Sequence, residues 1–132
     1  MKSKIKVSVL GGTGMVGQIY ISLLLNHPWF QIVDIAASKK SSGKSFKEVL
    51  KNRWKIKTNF PDQINNLVLR DIFDFNSIPN DVQIVFTAAE LEDKIKTQEL
   101  EFKYANHGYS VVSNTSANRW TDDVPMIIPE IN

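Results

Sequence analysis

The stretch that decides the fold is IKVSVLGGTGMVG, residues 5–17. In its first six residues apolar side chains alternate at Ile5, Val7 and Val9, a period of two that predicts a β-strand. The next seven residues carry glycine at positions 11, 14 and 17. From Met15 onwards apolar residues recur at the spacing of a helix face. The stretch therefore predicts a strand, a tight glycine turn and a helix.

This order of elements is the context in which a glycine-rich turn holds the pyrophosphate of a dinucleotide. The backbone N–H groups at the start of the helix point at the anion, and the helix dipole favours negative charge there. A tight strand-to-helix turn without any phosphate is the alternative. We expect the helix to bury its apolar residues, which are Met15, Val16, Ile19, Tyr20, Leu23 and Leu24.

The rest of the chain continues the alternation of strands and helices. Strands are predicted at residues 31–37, 66–70, 82–88 and 109–113. A capping box at Ser45–Glu48 predicts a short helix, with Phe46, Val49, Leu50 and Trp54 on its buried side. A longer helix is predicted from about 91 to 107, with Leu91, Ile95, Phe102 and Ala105 on its buried face.

Such an alternation predicts an α/β fold: a Rossmann-like, doubly wound, mainly parallel sheet of about five or six strands with helices on both faces. Residues 1–132 are expected to form one NAD(P)-binding Rossmann domain. In sheets of this kind the ligand lies beyond the carboxyl ends of the strands. Candidate functional residues are therefore sought in the loops that follow the strands.

Composition narrows the function classes. The net charge is only +2 and the basic residues form no concentrated stripe, so neither nucleic acid nor a membrane surface is expected as a partner. The sequence contains no cysteine, which excludes a thiolate nucleophile or a cysteine metal site within it. No run of residues is apolar enough for a membrane span, and a cytoplasmic location is expected. Asp122 and Asp123 are expected to be solvated, and no metal site is assigned.

The loop after the second strand, residues 38–44, reads SKKSSGK and contains no carboxylate. An acidic residue at this position would bind the ribose hydroxyls of NAD, whereas hydroxyls and cations accept the 2′-phosphate of NADP. The loop thus favours NADP, with NAD less favoured. A solvated polar loop is the alternative, and Asp34, inside the strand, is the residue that would favour NAD.

Two further loops carry side chains that are suited to binding a dinucleotide cofactor. Ala88 lies in a run of small residues after the fourth strand, where a cofactor would cross the sheet edge. Residues 113–119 follow the fifth strand, which is expected to be buried, and place hydroxyl and amide side chains beside Arg119. This arrangement suits polar cofactor groups and an anion, although an ordinary polar loop remains the alternative.

Three blocks of sequence carry a resemblance to a known family. They are VLGGTGMVGQ at residues 9–18, AAS at 36–38 leading to SGK at 42–44, and SNTSANR at 113–119 running into DVPMIIPEIN at 123–132. In these blocks the chain resembles the N-terminal cofactor domain of the aspartate-β-semialdehyde dehydrogenases of archaea and fungi. The resemblance spans essentially the whole chain, and it is loose between residues 51 and 78.

The resemblance implies an oxidoreductase that uses NADPH to reduce β-aspartyl phosphate to the semialdehyde in lysine, methionine and threonine biosynthesis. It implies a small-molecule cofactor, an acyl-phosphate substrate and a parent enzyme that is a homo-oligomer. Arg119 matches the arginine that holds the substrate phosphate. The residues expected to bind the cofactor are Gly11, Thr13, Gly14, Met15, Val16, Gly17, Ser38, Lys39, Ser41, Ala88, Asn114, Thr115 and Ser116.

The chain also departs from the family pattern. Residues 87–90 read TAAE where the family usually has a Ser-Ala-Leu-Pro type stretch, and the segment with the nucleophilic cysteine is not matched. We therefore expect a cofactor domain or N-terminal fragment that holds no catalytic residue. The alternatives are the cofactor domain of a malonyl- or succinyl-CoA reductase and a non-catalytic nucleotide-binding module.

Overall fold

The computed structural model describes residues 3–125. Within that range five strands form one parallel sheet in the order β3-β2-β1-β4-β5. The strands are β1 (Ile5–Leu10), β2 (Phe30–Ala37), β3 (Arg70–Asp71), β4 (Val82–Thr87) and β5 (Ser110–Ser113). The α/β, doubly wound fold expected from the sequence is confirmed, although β3 is only two residues long.

Among the described residues three α-helices connect the strands: α1 (Met15–Leu24), α2 (Phe46–Leu50) and α3 (Lys94–Asn106). The capping box is confirmed, because the Ser45 hydroxyl accepts a hydrogen bond from the Glu48 N–H at 3.1 Å. The α3 helix begins three residues later than the sequence suggests, since Asp93 caps it by accepting from the Lys96 N–H at 2.8 Å. Short 3-10 turns lie at Asp62–Ile64 and Phe75–Ser77.

Two hydrophobic cores lie against the sheet and show that helices cover both of its faces. Val7 and Ile35 pack with Ile21 of α1 and Phe46 of α2. A separate cluster joins the sheet to α3, and its members include Leu10, Ala36, Val85, Leu100 and Tyr104. Helices α1 and α2 therefore occupy one side of the sheet and α3 the other.

The buried face of α1 differs from the predicted one. Gly17, Gln18, Ile21 and Leu24 are buried, whereas the expected core residues Met15, Val16, Ile19 and Leu23 are exposed. The Gln18 amide explains the rotation, because it donates to the Thr13 and Arg53 carbonyls at 3.2 and 3.1 Å and accepts from the Lys55 N–H at 2.8 Å. The buried face of a helix is predicted from the spacing of its apolar residues, so this spacing cannot identify a buried glutamine such as Gln18.

The face of α3 is also different. Ile95 and Phe102 are 66% and 41% exposed, and Ala105 is exposed as well. The helix instead buries Leu100 with three polar residues, Thr97, Glu101 and Tyr104. Hydrogen bonds make this burial possible, since each of the three polar side chains has partners.

Strand β5 is not the buried strand that was expected. It forms one edge of the sheet within residues 3–125, and Val112 is 46% exposed. Trp29 and Trp120 are exposed at 68% and 80%, so of the three tryptophans only Trp54 packs partly against the core.

A buried ion pair ties four elements together. Both Arg70 Nε and Arg70 Nη2 donate to the Asp34 carboxylate, at 2.9 to 3.1 Å, while Arg70 Nη1 donates to the Tyr104 hydroxyl at 3.0 Å. Ser8 of β1 donates a further hydrogen bond to Asp34. The pair thus joins β1, β2, β3 and α3 beneath the carboxyl edge of the sheet.

Candidate functional site

At two positions of the glycine turn between β1 and α1 the neighbouring backbone leaves no room for a side chain. Gly11 has a φ of +75°, and a Cβ on it would lie 2.9 Å from the Ala89 backbone. A Cβ on Gly17 would lie 2.0 Å from the Gly11 carbonyl oxygen. By contrast, the nearest atom to a Cβ on Gly14 would be 3.8 Å away. Gly11 and Gly17 are therefore required by packing, while Gly14 faces open space.

The first turn of α1 is arranged to receive an anion. Its N-cap, Gly14, offers no side-chain oxygen to the helix N–H groups, and the first turn contains no acidic residue. The initial N–H groups of a helix lack intrahelical acceptors, and the dipole is positive at this end. Met15 and Val16 are 52% and 39% exposed beside it. This geometry fits a phosphate or pyrophosphate group.

Backbone hydrogen bonds bring the predicted site residues onto one edge of the sheet. The Gly11 N–H donates to the Ala36 carbonyl at 2.9 Å, and the Ala88 N–H donates to the Leu10 carbonyl at 3.0 Å. The Asn114 N–H in turn donates to the Thr87 carbonyl at 3.0 Å. The loops that follow β2, β1, β4 and β5 consequently lie side by side along the carboxyl edge.

The loop after β2 is compact and exposed. The N–H groups of Ser41 and Ser42 donate to the Ser38 carbonyl at 3.0 and 3.1 Å, which folds the loop back on itself. Gly43, at φ +82°, donates to the Leu69 carbonyl at 2.8 Å and so fixes the end of the loop. Ser38 and Lys39 are exposed, and Ser41 is half-buried. Hydroxyl and ammonium groups are therefore presented at the tip of β2.

Asp34 is excluded as the ribose-binding acid that would favour NAD. Its side chain is 5% exposed, and its carboxylate is occupied by Arg70 and Ser8. A carboxylate held in this way within the sheet is unable to reach an adenosine ribose at the loop. The lysines at 39, 40 and 44 are the charged side chains of the loop itself.

The loop after β5 alternates between exposed and buried side chains. Asn114 and Ser116 are exposed, whereas Thr115 and Asn118 are buried. The carboxylate of Glu101 accepts from Ser113 Oγ at 2.8 Å, Thr115 Oγ1 at 2.6 Å and Asn118 Nδ2 at 3.0 Å. The Thr115 hydroxyl thus points towards α3, and a cofactor contact by Thr115, which the sequence predicts, would use its backbone.

Sequence reasoning missed Glu101. In the helical pattern it reads as a surface charge, because acidic residues are rarely buried unless they are paired or hydrogen-bonded. The available signal was the triad of hydroxyl and amide side chains at Ser113, Thr115 and Asn118, whose donors need an acceptor once the loop packs against a helix.

Arg119 lies at the rim of an open groove of about 840 Å³ between α3, β5 and residues 118–125. Its side chain is exposed, and its N–H donates to the Ser116 carbonyl at 3.2 Å. Because its guanidinium group is exposed, Arg119 can bind an anionic group that enters the groove from solvent. The groove also exposes Val112 and Trp120.

Within residues 3–125, no helix is both long and apolar enough to cross a bilayer. The same part of the chain contains no group of three or more His, Asp or Glu side chains placed to hold a metal ion.

Comparison with known proteins places this geometry in a family. The family model described as "Semialdehyde dehydrogenase, NAD binding domain" matches residues 6–132. An aspartate-semialdehyde dehydrogenase of Archaeoglobus fulgidus is 41% identical over 96% of this chain and 34% of the relative. A malonyl CoA reductase (NADP) of Metallosphaera sedula is 33% identical over 100% of this chain and 35% of the relative.

A solved structure agrees with these sequence matches. The crystal structure of aspartate semialdehyde dehydrogenase with NADP from Candida albicans superposes with a TM-score of 0.85 and 32% identity, covering 98% of this chain and 35% of that one. The chain spans about a third of the length of these relatives. With its parallel sheet, glycine turn and matched residues 6–132, the chain belongs to the family of semialdehyde dehydrogenase NAD-binding domains.

Proposed function

We propose that the chain binds NADP as the cofactor domain of an aspartate-semialdehyde dehydrogenase, an oxidoreductase of amino-acid biosynthesis. The observation that carries the proposal is the open space around Gly14 at the start of α1, where no side chain caps the helix. The loop of residues 38–44, which contains three lysines and no carboxylate, follows the neighbouring strand β2. The relative from Candida albicans, which was crystallised with NADP, supports the choice of cofactor. Two of the three archaeal and fungal relatives reported above are aspartate-semialdehyde dehydrogenases.

In this proposal each loop has one task. The pyrophosphate is bound by the α1 N-terminus and residues Gly11 to Gly17. The 2′-phosphate end is bound by Ser38, Lys39 and Ser41. The path towards the nicotinamide is lined by Ala88 and by Asn114 to Ser116. Arg119 binds the phosphate of β-aspartyl phosphate through its planar fork. NADPH, when bound, supplies the hydride. Because residues 1–132 include no cysteine, they do not supply the nucleophilic cysteine that the family resemblance implies.

A malonyl-CoA reductase is the second candidate, because the Metallosphaera relative matches this chain along its whole length. The two substrates differ in their leaving groups, which are phosphate and coenzyme A. Titration of the NADP-loaded chain with inorganic phosphate and with coenzyme A separates them. Binding of phosphate that is lost in Arg119→Ala supports the aspartyl enzyme, and binding of coenzyme A alone supports the reductase. A cytoplasmic location and a homo-oligomeric parent enzyme remain predictions.

The first expected result concerns cofactor choice. In calorimetric titrations the chain is expected to bind NADP at least about tenfold more tightly than NAD, a difference of about 1.4 kcal/mol. Lys39→Ala is expected to remove most of that preference and to leave NAD affinity unchanged, because the ammonium group acts on the 2′-phosphate alone. Lys4→Ala is the control, since Lys4 is also exposed but precedes the amino end of β1.

Two outcomes would contradict this prediction. If neither nucleotide binds to the folded chain, the proposed function is wrong for this domain. If both nucleotides bind equally, the loop after β2 does not recognise the 2′-phosphate. Circular dichroism of each variant establishes that the chain is folded in every titration.

A further inference from the structure

The Glu101 carboxylate is the acceptor at the centre of a small network. It lies in the middle of α3, is 5% exposed and receives three hydrogen bonds from the end of β5 and the loop that follows it. All three donors, on Ser113, Thr115 and Asn118, are neutral, and none of the ion pairs among residues 3–125 includes Glu101. A nearly buried carboxylate is tolerated only when such donors replace the water it has lost.

The network determines which side chains of the loop reach solvent. Because Thr115 and Asn118 turn inward to Glu101, their neighbours Asn114 and Ser116 are exposed. The backbone follows the same constraint, since the Thr115 N–H donates to Ser113 Oγ at 3.0 Å. Gln98, one turn earlier on α3, adds a bond from its Nε2 to the Ala117 carbonyl at 2.6 Å.

We propose that Glu101 is a positioning residue that presents residues 114–116 to the nicotinamide half of the bound dinucleotide. This inference rests on the proposed function, because it assumes that the dinucleotide crosses the edge of the sheet from the α1 N-terminus towards β5. Glu101 itself touches no cofactor. It acts through the loop, whose Asn114 is also joined to the end of β4 by the bond to the Thr87 carbonyl.

The number of acceptors explains why a carboxylate is needed. Ser113 and Thr115 share the Oε2 oxygen, and Asn118 uses the Oε1 oxygen. A glutamine has nearly the same shape but only one oxygen. If that oxygen keeps the bond from Asn118, the Ser113 and Thr115 hydroxyls have to rotate and accept from the glutamine Nε2 instead of donating to it. Glu101→Gln therefore replaces three charge-assisted hydrogen bonds by weaker neutral ones and forces the two hydroxyls to reorient, without creating a cavity in the core.

The test compares two ligands on the same variant. Calorimetry is carried out with NADP and with adenosine 2′,5′-bisphosphate, which has the adenosine end and lacks the nicotinamide. Glu101→Gln is expected to weaken NADP binding about tenfold and to leave the bisphosphate affinity within about twofold. Glu99→Gln is the matched control, because it removes the same charge from an exposed position on α3 and should change neither affinity.

Hydrogen exchange without any ligand provides a second readout. In Glu101→Gln the amides of residues 114–118 are expected to exchange faster, while those of β1 and β4 keep their protection. Thr115→Val removes one donor from the network and is expected to show a smaller change of the same kind. It also serves as the test variant if Glu101→Gln does not fold.

The outcomes distinguish this inference from the proposed function. If the unaltered chain binds neither ligand, the proposed function fails, and the inference fails with it. If the chain binds NADP and Glu101→Gln binds it equally well, only the positioning role is refuted. Equal loss of both ligands, or faster exchange throughout the sheet, would show that Glu101 serves general stability and would overturn the inference.

Discussion

Arg70→Met is expected to lower the free energy of unfolding by about 3–5 kcal/mol, because it leaves the Asp34 carboxylate buried without its partner. Asp34 and Arg70 are 5% and 6% exposed, so neither side chain can recover its lost bonds from water. Burial alone would lower the pKa of Arg70, but the hydrogen bonds and charge interactions with Asp34, with a smaller contribution from Tyr104, together outweigh burial and raise it. The Arg70 guanidinium thus remains charged at neutral pH. Urea unfolding followed by circular dichroism measures the loss.

An exposed ion pair supplies the control for this experiment. Lys6 and Asp81 lie 3.2 Å apart with side chains 41% and 75% exposed, and Lys6→Met is expected to cost less than about 1 kcal/mol. Combining Arg70→Met with Asp34→Leu should recover much of the lost stability, because no charge then remains buried. A loss below about 1 kcal/mol in Arg70→Met alone would contradict the assignment of the pair as a buried link between the strands.

The sequence predicted the fold well where a single physical signal dominates. Period-two alternation located β1, and the Ser45 capping box located α2. The helix faces were predicted poorly, because burial in α1 and α3 is decided by hydrogen bonds of Gln18, Glu101 and Tyr104 as well as by apolar area. A polar side chain is buried when a particular partner is available, and that partner is distant in sequence.

The same distinction applies to the site. The glycine turn is a local feature, and its sequence sufficed to predict a turn between a strand and a helix. The position of the Asp34 side chain depends on Arg70, which lies 36 residues later in the sequence. The position of the Thr115 side chain depends on Glu101, which lies 14 residues earlier. Composition of a loop shows what chemistry is available there. It does not show which of those side chains are buried and already hydrogen-bonded to other parts of the protein.

Gly17→Ala is expected to destabilise the chain by about 1–3 kcal/mol and to abolish NADP binding. The added methyl would lie 2.0 Å from the Gly11 carbonyl oxygen and 2.7 Å from Gly12 Cα. Both atoms belong to the backbone of the turn, so α1 must move away from β1. Alanine favours the helix by roughly 1 kcal/mol, which offsets only part of this cost. Thermal unfolding and calorimetry with NADP measure the two effects.

Gly14→Ala separates the binding of phosphate from the folding of the turn. At φ −83° and ψ 174° alanine is unstrained, and its methyl would meet protein only at 3.8 Å. Stability should therefore change by less than about 0.5 kcal/mol, as for a surface substitution. NADP affinity is expected to fall about tenfold or more, because the methyl occupies the space through which a phosphate approaches the helix N–H groups. If the Gly14 variant binds NADP as tightly as the unaltered chain does, no phosphate occupies the space next to Gly14. The turn then only joins β1 to α1 and does not bind the pyrophosphate.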